Sequence, residues 1–184
     1  LKVRGGRLEW MQILRSNDLF RGVPYNFIQF TSIQEILAGW LGVELGSYNQ
    51  ISDSLHLYRE DTQIMKTSSS IAVEKNIDTL AVSKEESEIL IRKLSNSLDI
   101  MITPSLTQEE LKRLVTDYDL PHAYQNLLIV AAAEAARRRG WQILAQNIIS
   151  NCSNPALTQV WERWFTRFQQ RTEAGDNGIQ ASAN

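Results

Sequence analysis

The chain has 184 residues, 43% of them hydrophobic and 22% charged, values of an ordinary globular domain with enough length to bury a core. A net charge of −2 gives no overall basic field for nucleic acid, and no apolar run approaches the roughly 18–20 residues of a membrane span. Cys152 is the single cysteine, so an internal disulfide is impossible and a reduced, cytoplasmic setting is expected.

The chain opens on Leu1 and its first methionine is Met11, so it is expected to be part of a longer protein; a processed terminus is the alternative. Residues 1–4, Gly5-Gly6 and residues 7–14 predict a β-hairpin, with the glycine pair supplying the positive φ of a two-residue turn. Leu8, Trp10 and Gln12 alternate with Glu9, Met11 and Ile13, so apolar groups stand on both faces and a cover on both sides is expected. Gly22-Val23-Pro24 breaks the strand and pre-sets a helical turn. Ile33, Ile36, Leu37, Trp40 and Leu41 recur at helical spacing, which predicts a helix over residues 24–41 ending near Gly42. Residues 43–58 are strand-like in two pieces, with Gly46 at a turn or bulge.

After Tyr58 the character changes. Residues 61–76 are polar and Ser-rich, a loop with a short strand near residues 71–73. Ser83…Glu86 is a capping box that opens a helix to about residue 98, and Thr107…Glu110 is a second that opens a helix to about residue 117. Pro121 opens an Ala-rich helix to residue 139, stopped by Gly140. Helix resumes over residues 141–150, and Asn154-Pro155 caps a last one over residues 155–171. The tail, residues 174–184, is small and polar and expected to be disordered.

The polar residues around the first break carry the chemistry. A guanidinium offers a planar fork to phosphate oxygens, and Arg15 stands beside the hydroxyl of Ser16 at a strand end. A lone arginine is more often a surface ion pair, but Asp18, Phe20, Gly22 and Pro24 follow in a specific arrangement. An amide such as Asn26 has a donor and acceptors and can match a uracil edge; it can equally cap its own helix. His56 and Tyr58 are two apart on a strand and share a face, where they can reach sugar hydroxyls or be satisfied by backbone.

Taken together, Arg15-Ser16-Asn17-Asp18, Gly22-Val23-Pro24-Tyr25-Asn26 and His56-Leu57-Tyr58 resemble the thymidylate synthase family. The pattern of that family is Arg-Ser-x-Asp, Gly-x-Pro-aromatic-Asn and His-x-Tyr, and the resemblance covers about residues 1–58. It implies an α+β fold: a mixed sheet with a long packed helix, followed here by a helical C-terminal segment. Residues 1–60 carry the resemblance as a nucleotide-binding core, and the elements read above add a mostly helical segment (61–173) and a tail (174–184). The resemblance also implies that Arg15 and Ser16 take the 5′-phosphate of dUMP, that Asp18 orders the site near the pyrimidine, that Asn26 reads the uracil edge, and that His56 and Tyr58 hold the 3′-hydroxyl.

The family mechanism needs a thiolate that attacks C6 of the pyrimidine and makes C5 nucleophilic toward 5,10-methylene-tetrahydrofolate. The resemblance puts that cysteine upstream of Leu1. Cys152, between two predicted helices, is expected to be a packed residue. The chain as given is therefore expected to be inactive alone, without metal, and the complete protein to be a homodimer that methylates dUMP to dTMP. Hydroxymethyl transfer to a pyrimidine nucleotide is the alternative reaction; a non-catalytic nucleotide-binding or scaffolding relative is the alternative from another class. Gln50 stands where the family often has an aromatic residue, Asp53-Ser54-Leu55 where it often has Gly-Asp-Thr, and the helical C-terminal half with its polar tail does not resemble the short apolar ending that closes the family's site. Arg137-Arg138-Arg139 is expected to complement a helix dipole. Trp161, Trp164, Phe165 and Phe168 form a stripe expected to dock on the domain.

Overall fold

Strand β1, Lys2–Arg4, turns back through Gly5 and Gly6, at φ 54° and 75°, into β2, Arg7–Asp18. Helix α1, Val23–Leu41, then carries the chain to β3, Glu44–His56, which pairs with β2 in parallel, as a strand–helix–strand crossover allows. The sheet is mixed, in the order β1-β2-β3, with β1 antiparallel to β2. The computed structural model describes residues 1–63, 72–116 and 119–180, with side chains through Phe168. Two units partition the chain: Leu1–Ile71 with Thr79–Ile91, and Ala72–Asp78 with Arg92–Asn184. With six α-helices among the described residues, the class is α+β, as expected.

The first unit is built by an aromatic layer between α1 and the sheet. Trp10 and Phe30 lie 5.6 Å apart, and Phe27 meets Tyr48 edge-on at 5.1 Å. The polar tips in this layer are satisfied locally: Trp10 donates to Gln12 at 3.1 Å and Tyr48 to Gln50 at 2.8 Å. Burial pushes the Tyr48 hydroxyl pKa up.

β3 is one strand rather than two pieces. Leu8 faces Leu45 but Trp10 faces Tyr48, so β3 holds one extra residue at Gly46–Ser47, the bulge expected at Gly46. A side chain at Gly46 would stand 2.7 Å from the Leu8 carbonyl. Gln34, fully buried, fills the irregularity and donates to that same carbonyl at 2.7 Å.

The packed face of α1 differs from the expected one. Gln34 and Ala38 are its buried residues, whereas Ile33, Trp40 and Leu41 remain partly exposed. Aliphatic spacing misplaced the face because Phe27, Phe30 and a buried glutamine make the sheet contact. Trp40 serves a different contact: its indole donates to Ser87 at 2.6 Å on helix α2, Lys84–Met101. Gly39 lets residue 82 approach, since a side chain there would stand 2.5 Å from the Val82 carbonyl.

The second unit is helical. After the last residues of α2 come α3, Gln108–Thr116; α4, His122–Arg138; α5, Gln142–Ile149; and α6, Pro155–Gln180. The predicted stops and starts are present. Ser83 accepts from the Glu86 amide at 3.2 Å, Thr107 and Glu110 form a reciprocal box, and Gly140 sits at φ 76°. Asn154 caps α6 by accepting from the Ala156 amide at 3.0 Å. α6 runs to Gln180 instead of ending near residue 171; no proline follows Pro155 to stop it. Residues 174–180 of the tail expected to be disordered are thus helical in backbone, and 181–184 lie outside the described residues. Of the short strand expected near residues 71–73, residue 71 lies outside the described residues, and Ala72 and Val73 have no regular structure.

Ala132, Ala133 and Ala136 are fully buried along α4, where small side chains let Leu144, Ile148, Trp161 and Phe165 close in. Trp161 and Phe165 stack at 4.9 Å inside this core, while Trp164 stays half-exposed. The arginine run does more than complement a dipole. Arg137 and Arg138 both hold Glu134, and their hydrogen bonds pull its carboxyl pKa down to about 2. Arg139 donates to the carbonyls of Met101 and Thr103 at 2.7 and 2.9 Å, capping the end of α2. Cys152 packs at the edge of this core, with Sγ 3.7 Å from the Asn154 carbonyl.

Candidate functional site

The residues singled out in the sequence meet where β2 ends. β2 and β3 run in parallel, so both deliver their C-terminal residues to one sheet end: Ser16 lies beside Ser54, and Asp18 beside His56. α1 starts from the same end. This is the end at which parallel strand–helix units present ligand-binding groups.

His56 sits between two partners. Its Nδ1 is 3.4 Å from Ser16 Oγ and its Nε2 is 4.0 Å from Asp18 Oδ2. Its ring meets Tyr58 edge-on at 5.2 Å, and its carbonyl accepts from the Leu19 amide at 2.8 Å. Asp18 closes the turn after β2. Its Oδ1 accepts from the Phe20 amide at 2.8 Å and from the Arg21 amide, and its carbonyl accepts from the Gly22 amide at 3.0 Å. These backbone donors, the Arg21 amide foremost, hold its pKa below the usual carboxylate value even though burial opposes them. Asp18 therefore stays an anion, and its buried Oδ2 has no hydrogen-bond partner among the described residues.

Asn26 lies in the first turn of α1 but does not cap it. Its amide donates to Asn17 Oδ1 at 2.9 Å. Asn17 is buried and donates in turn to Ser52 at 3.5 Å, so the Asn26 amide is oriented from the strand. Among the described residues its own Oδ1 and second N–H make no further hydrogen bond and can serve an outside partner. Gly22 makes this arrangement possible: a side chain there would stand 2.3 Å from Asn17 Oδ1 and 2.9 Å from the Asp18 carbonyl. Arg15 is exposed on β2 and pairs with no acid among the described residues.

The structure thus gathers Ser16, Asp18, His56 and Tyr58 through direct contacts, places Asn26 on the neighbouring turn, and leaves Arg15 reaching outward. Three contributors were missed. Asn17 occupies the variable slot of Arg-Ser-x-Asp, and Arg21 looks like a spacer. Asp61 falls in a polar stretch but is buried. No local pattern marks any of the three, because each acts through a long-range partner.

The comparisons with known proteins bear on this arrangement. The family model for thymidylate synthase matches residues 1–103. The chain belongs to the thymidylate synthase family. Over 61 residues it is 52% identical to the deoxyuridylate hydroxymethyltransferase of Bacillus phage SP01, which is 33% of this chain and 16% of that protein. It is 35% identical over 57 residues to a thymidylate synthase of Symbiobacterium thermophilum, 31% of this chain and 20% of that protein. A thymidylate synthase of Zymomonas mobilis is 34% identical over 61 residues, 33% of this chain and 21% of that protein. The chain spans no more than about a fifth of the length of these relatives. Among the described residues no helix is long and apolar enough to cross a membrane, and no cluster of His, Cys, Asp and Glu could hold a metal ion.

Proposed function

We propose that residues 1–60 are the nucleotide-binding core of a cytoplasmic pyrimidine-nucleotide C5-transferase acting on dUMP. Arg15 and Ser16 take the 5′-phosphate, Asn26 reads the uracil edge, and His56 with Tyr58 holds the 3′-hydroxyl. The observation that carries this reading is the Asn17–Asn26 bond at 2.9 Å. A helix-capping asparagine would spend its side chain on its own backbone, whereas this one is turned by a buried neighbour and keeps a donor and an acceptor free.

In that reading the residues of this chain bind and orient. The anionic Asp18 fixes the turn that carries Gly22 into α1, and with it the height of Asn26. The Asn26 carbonyl can accept from N3–H and its free N–H can donate to O4, which fixes the ring before a thiolate adds at C6. The resemblance puts that thiolate upstream of Leu1. The carbon donor of the family, methylene-tetrahydrofolate, supplies one carbon at the formaldehyde oxidation level. Gln50, where the family often has an aromatic residue, accepts from the Tyr48 hydroxyl at 2.8 Å.

Asn26→Asp in the complete protein is the test. It should move preference from dUMP toward dCMP, because a carboxyl group suits the exocyclic amine of cytosine better than an amide does. Unchanged relative binding of the two nucleotides would remove Asn26 from the base.

The choice between methylation and hydroxymethylation is favoured toward the latter by one observation, the 52% identity to a protein named deoxyuridylate hydroxymethyltransferase. Mass analysis of the product separates 5-hydroxymethyl-dUMP from dTMP.

We also propose that the complete protein is a homodimer formed through the sheet. Met11, Ile13 and Ile51 are exposed on the face opposite the aromatic layer, and a second copy would cover them. Light scattering at micromolar concentration should give twice the chain mass; a clean monomer would count against the interface.

A further inference from the structure

Arg21 and Asp61 make the shortest ion pair among the described residues of the first unit, at 2.8 Å, and neither belongs to the motifs that carry the resemblance. Asp61 ends the short 3-10 turn Arg59–Asp61, which follows Tyr58 directly, and is only 2% exposed. Arg21 meets it as a fork: Nε donates to Oδ2 and Nη2 to Oδ1, both at 2.8 Å. Nη2 also reaches Glu60 at 3.1 Å. A carboxylate this deeply buried costs several kcal/mol unless it is paired, so the fork fixes where Asp61 stands.

That position bears on Tyr58 from two sides. The Asp61 amide donates to the Tyr58 carbonyl at 3.0 Å, and Thr62 Oγ1 donates to it at 3.4 Å, so the backbone of Tyr58 is held by the turn that Arg21 anchors. The guanidinium itself lies 6.0 Å from the centre of the Tyr58 ring, at the reach of a cation–π contact. The ring also meets His56, edge-on at 5.2 Å. Tyr58 is otherwise half-exposed, and its ring contacts among the described residues are with His56 and Arg21. At the far end of Arg21, its amide donates to Asp18, whose turn leads to Asn26. The Arg21 side chain thus ties the segment that bears Asp18 and Asn26 to the segment that bears His56 and Tyr58.

We propose that Arg21 and Asp61 are positioning residues that hold Tyr58 in place for a sugar 3′-hydroxyl of the bound nucleotide. This rests on the reading of the site given above. The pair does not touch the nucleotide. It removes the freedom of an exposed ring, so that the Tyr58 hydroxyl is ordered before the ligand arrives.

The test uses the complete protein and two ligands, dUMP and its 3′-deoxy analogue. Wild type should prefer dUMP by roughly tenfold, the difference made by one well-placed hydroxyl. Arg21→Met should bring the two affinities together by weakening dUMP while leaving the analogue unchanged. The double variant Arg21→Met with Asp61→Asn should do the same; it removes both charges and leaves no orphaned carboxylate, so it guards against loss of folding. Equal weakening of both ligands in these variants, or an unchanged ratio, overturns the positioning role. Tyr58→Phe separates the two levels. If it collapses the ratio while the Arg21 variants do not, only the positioning role fails. If it keeps the wild-type ratio, Tyr58 does not serve the hydroxyl, and the assignment of Tyr58 falls together with the proposal.

Discussion

Replacing Arg15 with alanine in the complete protein should weaken binding of dUMP far more than binding of deoxyuridine. Arg15 is exposed on β2 and has no acid partner among the described residues, so its loss breaks no ion pair of the fold. Its neighbour Ser16 lies 3.4 Å from His56 Nδ1, so Arg15 directly precedes a site residue near the C-terminal end of β2. A charge-assisted contact to phosphate contributes about 1.5–3 kcal/mol, so the nucleotide should lose roughly 10- to 150-fold in affinity. The nucleoside lacks the phosphate and should lose little. Calorimetric titration of both ligands measures the difference directly. An equal loss for the two would show that Arg15 acts on the fold or on the base rather than on phosphate.

The second large effect is expected at Gly22. At φ −89° its backbone suits any residue, so the requirement for glycine is one of space. A methyl group there would meet Asn17 Oδ1 at 2.3 Å and the Asp18 carbonyl at 2.9 Å. The second contact is backbone and cannot yield without moving the turn, and the first is the atom that orients Asn26. Gly22→Ala should therefore cost about 1–3 kcal/mol of stability, as overpacking does. It should also displace the Asn26 amide and weaken dUMP binding beyond what the lower stability explains. Thermal denaturation together with titration at a temperature where the variant is folded tests both parts. A variant of wild-type stability and affinity would mean that the turn yields freely and that Asn17 does not fix Asn26.

Most of the first unit was legible in the chain because its signals are local. Gly5-Gly6 needs two positive φ angles, Gly22-Val23-Pro24 starts a helix, and Gly46 marks a bulge; each appears where the residues put it. The capping boxes at Ser83 and Thr107 and the stop at Gly140 behaved the same way. The inner face of α1 was not legible. Its side chains include Gln34, a polar residue that is buried because a bulge leaves carbonyls for it to satisfy, and that need exists only once β2 and β3 have paired.

The site divides along the same line. Ser16, Asp18 and His56 converge because parallel strands put their ends together; Tyr58, expected on the same strand, lies just past the end of β3 and meets the His56 ring, and the short motifs marked all four. Asn17, Arg21 and Asp61 act across 9 to 40 positions of sequence, and nothing in their immediate neighbours distinguishes them from spacers. A buried acid at Asp61 is visible only after the chain has turned beyond Tyr58 and met an arginine from the other segment.

The central claim is that one end of this sheet holds a pyrimidine nucleotide, and a crystal structure of the complete protein with dUMP tests it most directly. The phosphate should lie within hydrogen-bond distance of Arg15 and Ser16, the uracil O4 and N3 on the Asn26 amide, and the 3′-hydroxyl beside His56 and Tyr58. Density for dUMP elsewhere, or in this place with Asn26 turned away from the base, would contradict it.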